Sequence, residues 1–192
     1  MLRKSVIALL LVGAVAVAAV VGLKSRDQIS ETETFAAAGL EPMSIRDAEA
    51  EFWRLTPALL LVVYEAFEAF REDTIYDTLA SVTHGEALEA LYLERMGAMA
   101  GGGLDALDQT IHEITLLASD VTRDGGTLRI NASWQVIGTV GHAEHLHVRG
   151  NTYSADLTIA PVEGAWRITE FALLDVNRDT AGEMFEAPQP EN

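Results

Sequence analysis

Hydrophobic side chains recur along this chain in three rhythms, and each predicts a different kind of segment. From Ser5 to Leu23 the residues are apolar without a single charge. As a helix rising ~1.5 Å per residue, that stretch covers most of a ~30 Å hydrocarbon layer. Between Ser44 and Gly101 apolar residues return every three or four positions, the spacing of one helix face. Beyond Asp108 they alternate with polar residues or cluster in short β-branched runs between glycine-rich turns, the rhythm of strands.

The helical part resolves into four elements. Ser44 and Asp47 make a capping-box pattern ahead of Ile45, Ala48, Phe52 and Leu55, which predicts a first amphipathic helix. Thr56-Pro57 is expected to interrupt it, with Thr as N-cap and Pro at the first helical position of a second helix. In that helix Leu60, Val63, Phe67 and Phe70 form the core stripe, while Glu65, Glu68 and Arg71 face water. A short helix is expected over 75–79. Thr83 and Glu86 then cap a fourth, with Leu88, Leu91, Tyr92, Arg95 and Met99 along one side and Gly101-Gly102-Gly103 ending it.

Turn signals at Asp124-Gly125-Gly126, at 138–141 and at 161–164 separate four strands centred near Ile114, Trp134, Leu157 and Ile168. In the second, Ala132, Trp134, Val136 and Val140 alternate with Asn131, Ser133, Gln135 and Thr139, which predicts an antiparallel sheet with one wet face. In the third, Leu146 and Val148 are out of phase with Tyr153, Ala155, Leu157 and Ile159. A bulge at Gly150-Asn151 would restore a single apolar face and bend the strand. The expected fold class is α+β: an N-terminal transmembrane helix, then helices packed on a curved four-stranded antiparallel sheet. The expected division is a cytoplasmic N-terminus at 1–4, an anchor at 5–23, a linker at 24–42, the α+β domain at 43–178 and a disordered tail at 179–192. Residues 24–42 read as a tether because they are rich in Glu, Thr and Ala and carry few large apolar side chains.

Helices followed by a curved meander, with the pattern WQVIGTV…NTYSADLTIAPVEGAWRITEF, resemble the nuclear-transport-factor-two-like cone over about 43–178. The stretch GHAEHLHVRGNTYSADLTIAPVEGAWRITEFALLD also resembles a pattern of membrane-anchored bacterial proteins. The resemblance implies a cone-shaped domain of the kind found in membrane-anchored assembly proteins and import domains, and equally in small isomerases and hydrolases. Fold alone does not choose among these.

Composition narrows the chemistry. A formal charge of −16 leaves no clustered Lys or Arg for phosphate binding, so no nucleic acid partner is expected. With no cysteine, disulfides, thiolate catalysis and Cys-based zinc sites are excluded. The local cluster of ligand-type side chains is Gly141-His142-Ala143-Glu144-His145-Leu146-His147-Val148-Arg149. His145 and His147, two apart on a strand, project from one face and form a candidate divalent-metal pair. His142 joins only if the preceding turn swings it across. The bland alternative is a solvated strand face with no cofactor. For an enzyme of the cone type the acid, base or pocket candidates are Tyr64, Tyr92, His112, Asp156 and Glu170. Glu170 shares its side of a strand with Trp166 and Ile168, but the opposite phase of Phe171 and Leu173 implies a bulge that returns it to water.

Arg3 and Lys4 before the apolar stretch, against Lys24 and Arg26 after it, mildly favour a cytoplasmic N-terminus. A cleaved signal peptide is the alternative, with small residues at Ala16, Ala18 and Ala19, but such apolar cores run only ~7–15 residues. The expectation is therefore a single-pass protein of a bacterial inner membrane whose domain faces the periplasm or cell exterior. Its partners would be the membrane itself and either another envelope protein or a second copy. A non-enzymatic interaction or assembly module leads, with a metal-binding accessory protein and a small hydrolase or isomerase as alternatives.

Overall fold

A computed structural model describes residues 30–100, 108–142 and 145–186; the side chains at 108–110, 140–149 and 178–186 are not among those described. The chain separates into two units, 1–30 and 31–192. The expected anchor at 5–23 lies outside the described residues. Among the described residues, no helix is long and apolar enough to cross a membrane.

In the second unit, the described elements run β1 (Thr34–Ala37), β2 (Leu40–Ser44), α1 (Ile45–Ala50), α2 (Phe52–Glu68), α3 (Glu72–Val82), α4 (Glu86–Ala100), β3 (Asp108–Asp124), β4 (Thr127–His142), β5 (His145–Val162) and β6 (Ala165–Glu186). The strands form one six-stranded sheet in the order β2-β1-β6-β5-β4-β3. The expected four-stranded antiparallel sheet is therefore corrected to six strands and to mixed direction, because β1 runs parallel to β6. The four expected strands are present as the antiparallel meander β3 to β6. The two additional strands fall within the stretch 24–42 and just past it. There the sequence offers only short runs with few large apolar side chains around Phe35 and Met43, and Pro42 argues against a strand interior.

Those strands form because β6 supplies what they lack locally. Phe35 and Ala37 alternate inward with burial on every second residue. The ring of Phe35 meets Trp166 edge to face at 5.8 Å, and the Trp166 indole N–H donates to the Met43 carbonyl at 3.0 Å. At the other end of the sheet β6 runs on to Glu186, into the stretch expected to be a disordered tail.

Ser44 closes β2 and caps α1. Its side chain accepts from the Asp47 amide at 3.2 Å, and Asp47 accepts from the Ser44 amide at 3.3 Å, so the predicted capping box is formed. The helix break is not at Thr56-Pro57. It falls at Glu51, whose carbonyl starts α2 by accepting from Arg54 and Leu55. Pro57 then sits inside a continuous 17-residue helix. Thr56 is fully buried with its hydroxyl unpartnered, so it caps nothing. Packing of Leu55, Leu59, Leu60, Val63 and Ala66 holds the helix through the proline and overrides the local stop signal. Phe70, expected in the core stripe, lies beyond the helix and is 70% exposed.

A similar override occurs at Thr83, expected to open α4. Its hydroxyl donates back to the Leu79 carbonyl at 2.7 Å, and its backbone bridges Ile168 in parallel fashion. Thr83 therefore closes α3, which is longer than the short helix expected over 75–79.

The core lies on one face of the sheet. From β4 come Leu128, Ile130, Ala132, Trp134 and Val136, from β5 Ala155, Leu157 and Ile159, and from β6 Trp166 and Ile168. Against them pack the buried residues of the helices, including Ile45, Leu55, Leu59, Leu60, Ile75 and Leu79. Strand β5 pairs with β4 in unbroken register from Ile159 to His145. Register shifts fall instead on its β6 side, among them one between Gly150 and Thr152. There the pairing advances from Thr180 to Asn177 on β6, so β6 carries the extra residue and not β5.

Candidate functional site

The connection between α3 and α4 is pulled onto β6, and this contact builds a cleft among the described residues. The His84 amide donates to the Ile168 carbonyl at 2.9 Å, directly beside the Thr83 bridge. Gly85, at φ +58, then turns the chain into α4. On the facing side, β5 and β6 join through a two-residue turn of Glu163 and Gly164, with Val162 and Ala165 paired across it. Both turn residues have positive φ, +52 and +81, the backbone that the right-handed twist of a two-residue hairpin demands. Gly takes that conformation freely, whereas Glu adopts it at a cost of roughly 1–2 kcal/mol.

Between these two features opens a cleft of about 560 Å³. Tyr76, Ala80, Leu88 and Tyr92 give it an apolar and aromatic wall, and Glu89, Glu163, His84 and Arg167 its polar edge. The two tyrosine rings meet edge to face at 5.6 Å. The Tyr92 hydroxyl donates to Glu72 Oε1 at 2.5 Å. That hydrogen bond to a carboxylate, followed by desolvation, raises the phenol's pKa above its ordinary value. Tyr92 is thereby held as a protonated donor. Arg167 stretches beneath the turn, only 17% exposed, with its guanidinium 3.0 Å from the Glu163 carboxylate.

Of the sequence-nominated residues whose side chains are described, Tyr92 alone lines this cleft. Glu170 lies exposed on β6, where Thr158 Oγ1 donates to it at 2.6 Å. The β5–β6 register shifts between Thr158 and Ile159, next to that pair. Tyr64 occupies a separate aromatic cluster. It accepts from the Trp134 indole at 3.1 Å and lies 6.1 Å from Tyr153, which itself stacks on Trp134. Burial pushes its phenol pKa well above the ordinary value, which makes it a structural acceptor and a poor acid or base near neutrality. His112 meets Thr139 Oγ1 at 3.0 Å, and Asp156 accepts from Asn131 at 2.7 Å, both on the exposed sheet face.

For the proposed metal pair, the backbone places His142 and His145 opposite each other at the β4–β5 connection. It places His147 opposite Met184 on β6. The side chains of all three histidines lie outside the described residues. Among the described residues, no group of three or more His, Asp or Glu could hold a metal ion.

Sequence reasoning missed Tyr76, His84, Glu163 and Arg167. Only Glu163 carried a signal, as a glutamate in a turn position where Asn, Asp or Gly is usual. The other three come together only because Thr83 and His84 dock on β6, a contact with no counterpart in local sequence.

No protein-family model matches the chain, and no curated protein matches it. Among solved structures it is similar to the intermembrane space region of the chloroplast protein ARC6, at a TM-score of 0.43 and 18% identity over 69% of this chain and 97% of that one. It is also similar to a de novo β-sheet design protein, at a TM-score of 0.34 and 13% identity over 65% of this chain and 88% of that one. Both TM-scores lie below 0.5, so neither likeness bears on the activity of this chain.

Proposed function

We propose that this protein is a membrane-held interaction or assembly module, its domain exported across a bacterial inner membrane and docking there on an envelope partner or a second copy. The reading rests chiefly on one observation: among the described residues the sheet is packed where the helices cover it, yet large apolar side chains remain outside. Trp134, Trp166, Leu157, Ile159 and Ile168 are each at most 2% exposed, so this part of the sheet is a packed core. Meanwhile Trp53 is 58% exposed and Leu61 42% exposed on α2, and Phe70 is 70% exposed just past its end. Exposed aromatic and aliphatic side chains of this size on one helical layer favour docking over solvation.

The uncharged stretch 5–23 supports the location, and the helices followed by the β3 to β6 meander, with β1 and β2 ahead of them, support the resemblance to the nuclear-transport-factor-two-like cone. The test uses the full-length chain in a neutral detergent. Light scattering measures its mass, and affinity capture from solubilised envelopes seeks a partner, each repeated with Trp53→Ser/Leu61→Ser. The reading requires either self-association or specific capture, reduced by the double substitution. A monomer that captures nothing would end it.

A further inference from the structure

We infer that the cleft between α3, α4 and the β5–β6 turn receives a basic side chain, Lys or Arg, from a partner protein segment. The inference rests on the interaction-module reading and names the chemistry of one contact within it.

The argument starts from the two rings. Tyr76 and Tyr92 stand edge to face at 5.6 Å and 86°, both line the cleft, and Tyr76 is 47% exposed, so aromatic surface is open to it. An aromatic face attracts a cation through the ring quadrupole and attracts an anion not at all. The carboxylates of the polar edge agree in sign. Glu89 and Glu163 line the cleft, and Glu72 accepts a hydrogen bond from the Tyr92 hydroxyl. The chain's −16 charge raises the local concentration of any basic segment.

Among the residues lining the cleft, Arg167 carries a formal positive charge and His84 adds an imidazole, but the guanidinium is already engaged within the protein, by Glu163 at 3.0 Å. The Arg167 Nε is buried without a partner, inaccessible to anything entering from solvent. Glu163 is also held at φ +52, where Asn or Gly would sit without strain. A glutamate there lines the cleft with a carboxylate that is shared with Arg167 and is 69% exposed, so an incoming ammonium or guanidinium can meet it after its aliphatic stem passes Leu88 and Ala80.

The probe is fluorescein-labelled hexalysine, with hexaglutamate as its opposite, titrated by fluorescence anisotropy into the full-length chain in neutral detergent at near-physiological salt. Tyr76→Leu/Tyr92→Leu keeps the wall apolar and removes the π faces. Glu89→Gln/Glu163→Gln removes two cleft charges, and Glu33→Gln/Asp120→Asn removes two exposed charges elsewhere. The expected result is about fivefold weaker hexalysine binding for the ring pair and for the cleft charge pair, with less than twofold for the remote pair. A thermal melt checks folding, and Tyr76→Leu alone serves if the double substitution does not fold.

Equal losses in the two charge pairs would assign the binding to bulk charge and overturn the inference. Unchanged affinity without the rings, or tighter binding of hexaglutamate, would do the same. Envelope-partner capture that survives the ring and cleft substitutions overturns this site while leaving the module reading intact. Hexalysine seated on the rings with no partner captured and no self-association upholds the site and counts against the module.

Discussion

Replacing Trp166 with Phe tests whether β6 holds β1 and β2 in place. Trp166 is 1% exposed, makes an edge contact with Phe35 and donates to the Met43 carbonyl across 123 positions of sequence. Phenylalanine keeps an aromatic ring but deletes the donor and one fused ring. Leaving a carbonyl short of a partner in a site where Met43 is 5% exposed costs about 1–3 kcal/mol. The smaller ring adds a cavity term of about 1 kcal/mol. The expected loss is therefore about 2–4 kcal/mol, which moves a urea midpoint by about 1–2 M for a slope near 2 kcal/mol per M.

Trp134 remains buried in the meander and reports the global transition by fluorescence. Hydrogen exchange over residues 34–44 reports the local one. Phe35→Ala and the double substitution complete a cycle whose coupling should be about 0.5–1.5 kcal/mol for the aromatic pair. A loss under about 0.5 kcal/mol would refute the reasoning. So would unchanged protection of 34–44 with weakening elsewhere, because the short outer strands would then stand without the indole.

Three further outcomes are expected. Ser44→Ala removes the cap on α1 and should cost about 1 kcal/mol by urea titration; because the same hydroxyl and amide hold the Asp47 carboxyl below its ordinary pKa, the wild-type advantage should fade as pH drops below about 4. Pro57→Ala should raise the melting temperature, since a proline inside a helix is worse than alanine by up to about 3 kcal/mol and only the freer unfolded chain, at about 0.4–1 kcal/mol, opposes the gain; a lower melting temperature would show that the ring's packing outweighs both. Tyr64 binds its proton more tightly folded than unfolded, so above about pH 10 the unfolded state releases protons that the folded state keeps and stability must fall. Tyr64→Phe should flatten that alkaline slope while lowering stability at neutral pH, because the Trp134 indole loses its acceptor.

What the sequence could decide was whatever a few neighbouring residues determine together. The meander β3 to β6 was legible because alternation such as Ala132, Trp134, Val136 records which face meets the core, and glycine turns mark where each strand ends. The capping box at Ser44 and Asp47 was legible because its two hydrogen bonds close over three residues. Tertiary structure decided the rest. β1 and β2 are too short to declare themselves and exist through Trp166. Pro57 stays helical because the buried side of α2 outweighs one lost backbone bond, and Thr83 closes α3 because β6 claims its backbone. The cleft belongs to this second class: its tyrosines, its glutamates and Arg167 come from two helices and a hairpin. Their meeting depends on long-range packing, and residues distant in sequence carry no local periodicity that records whom they will touch.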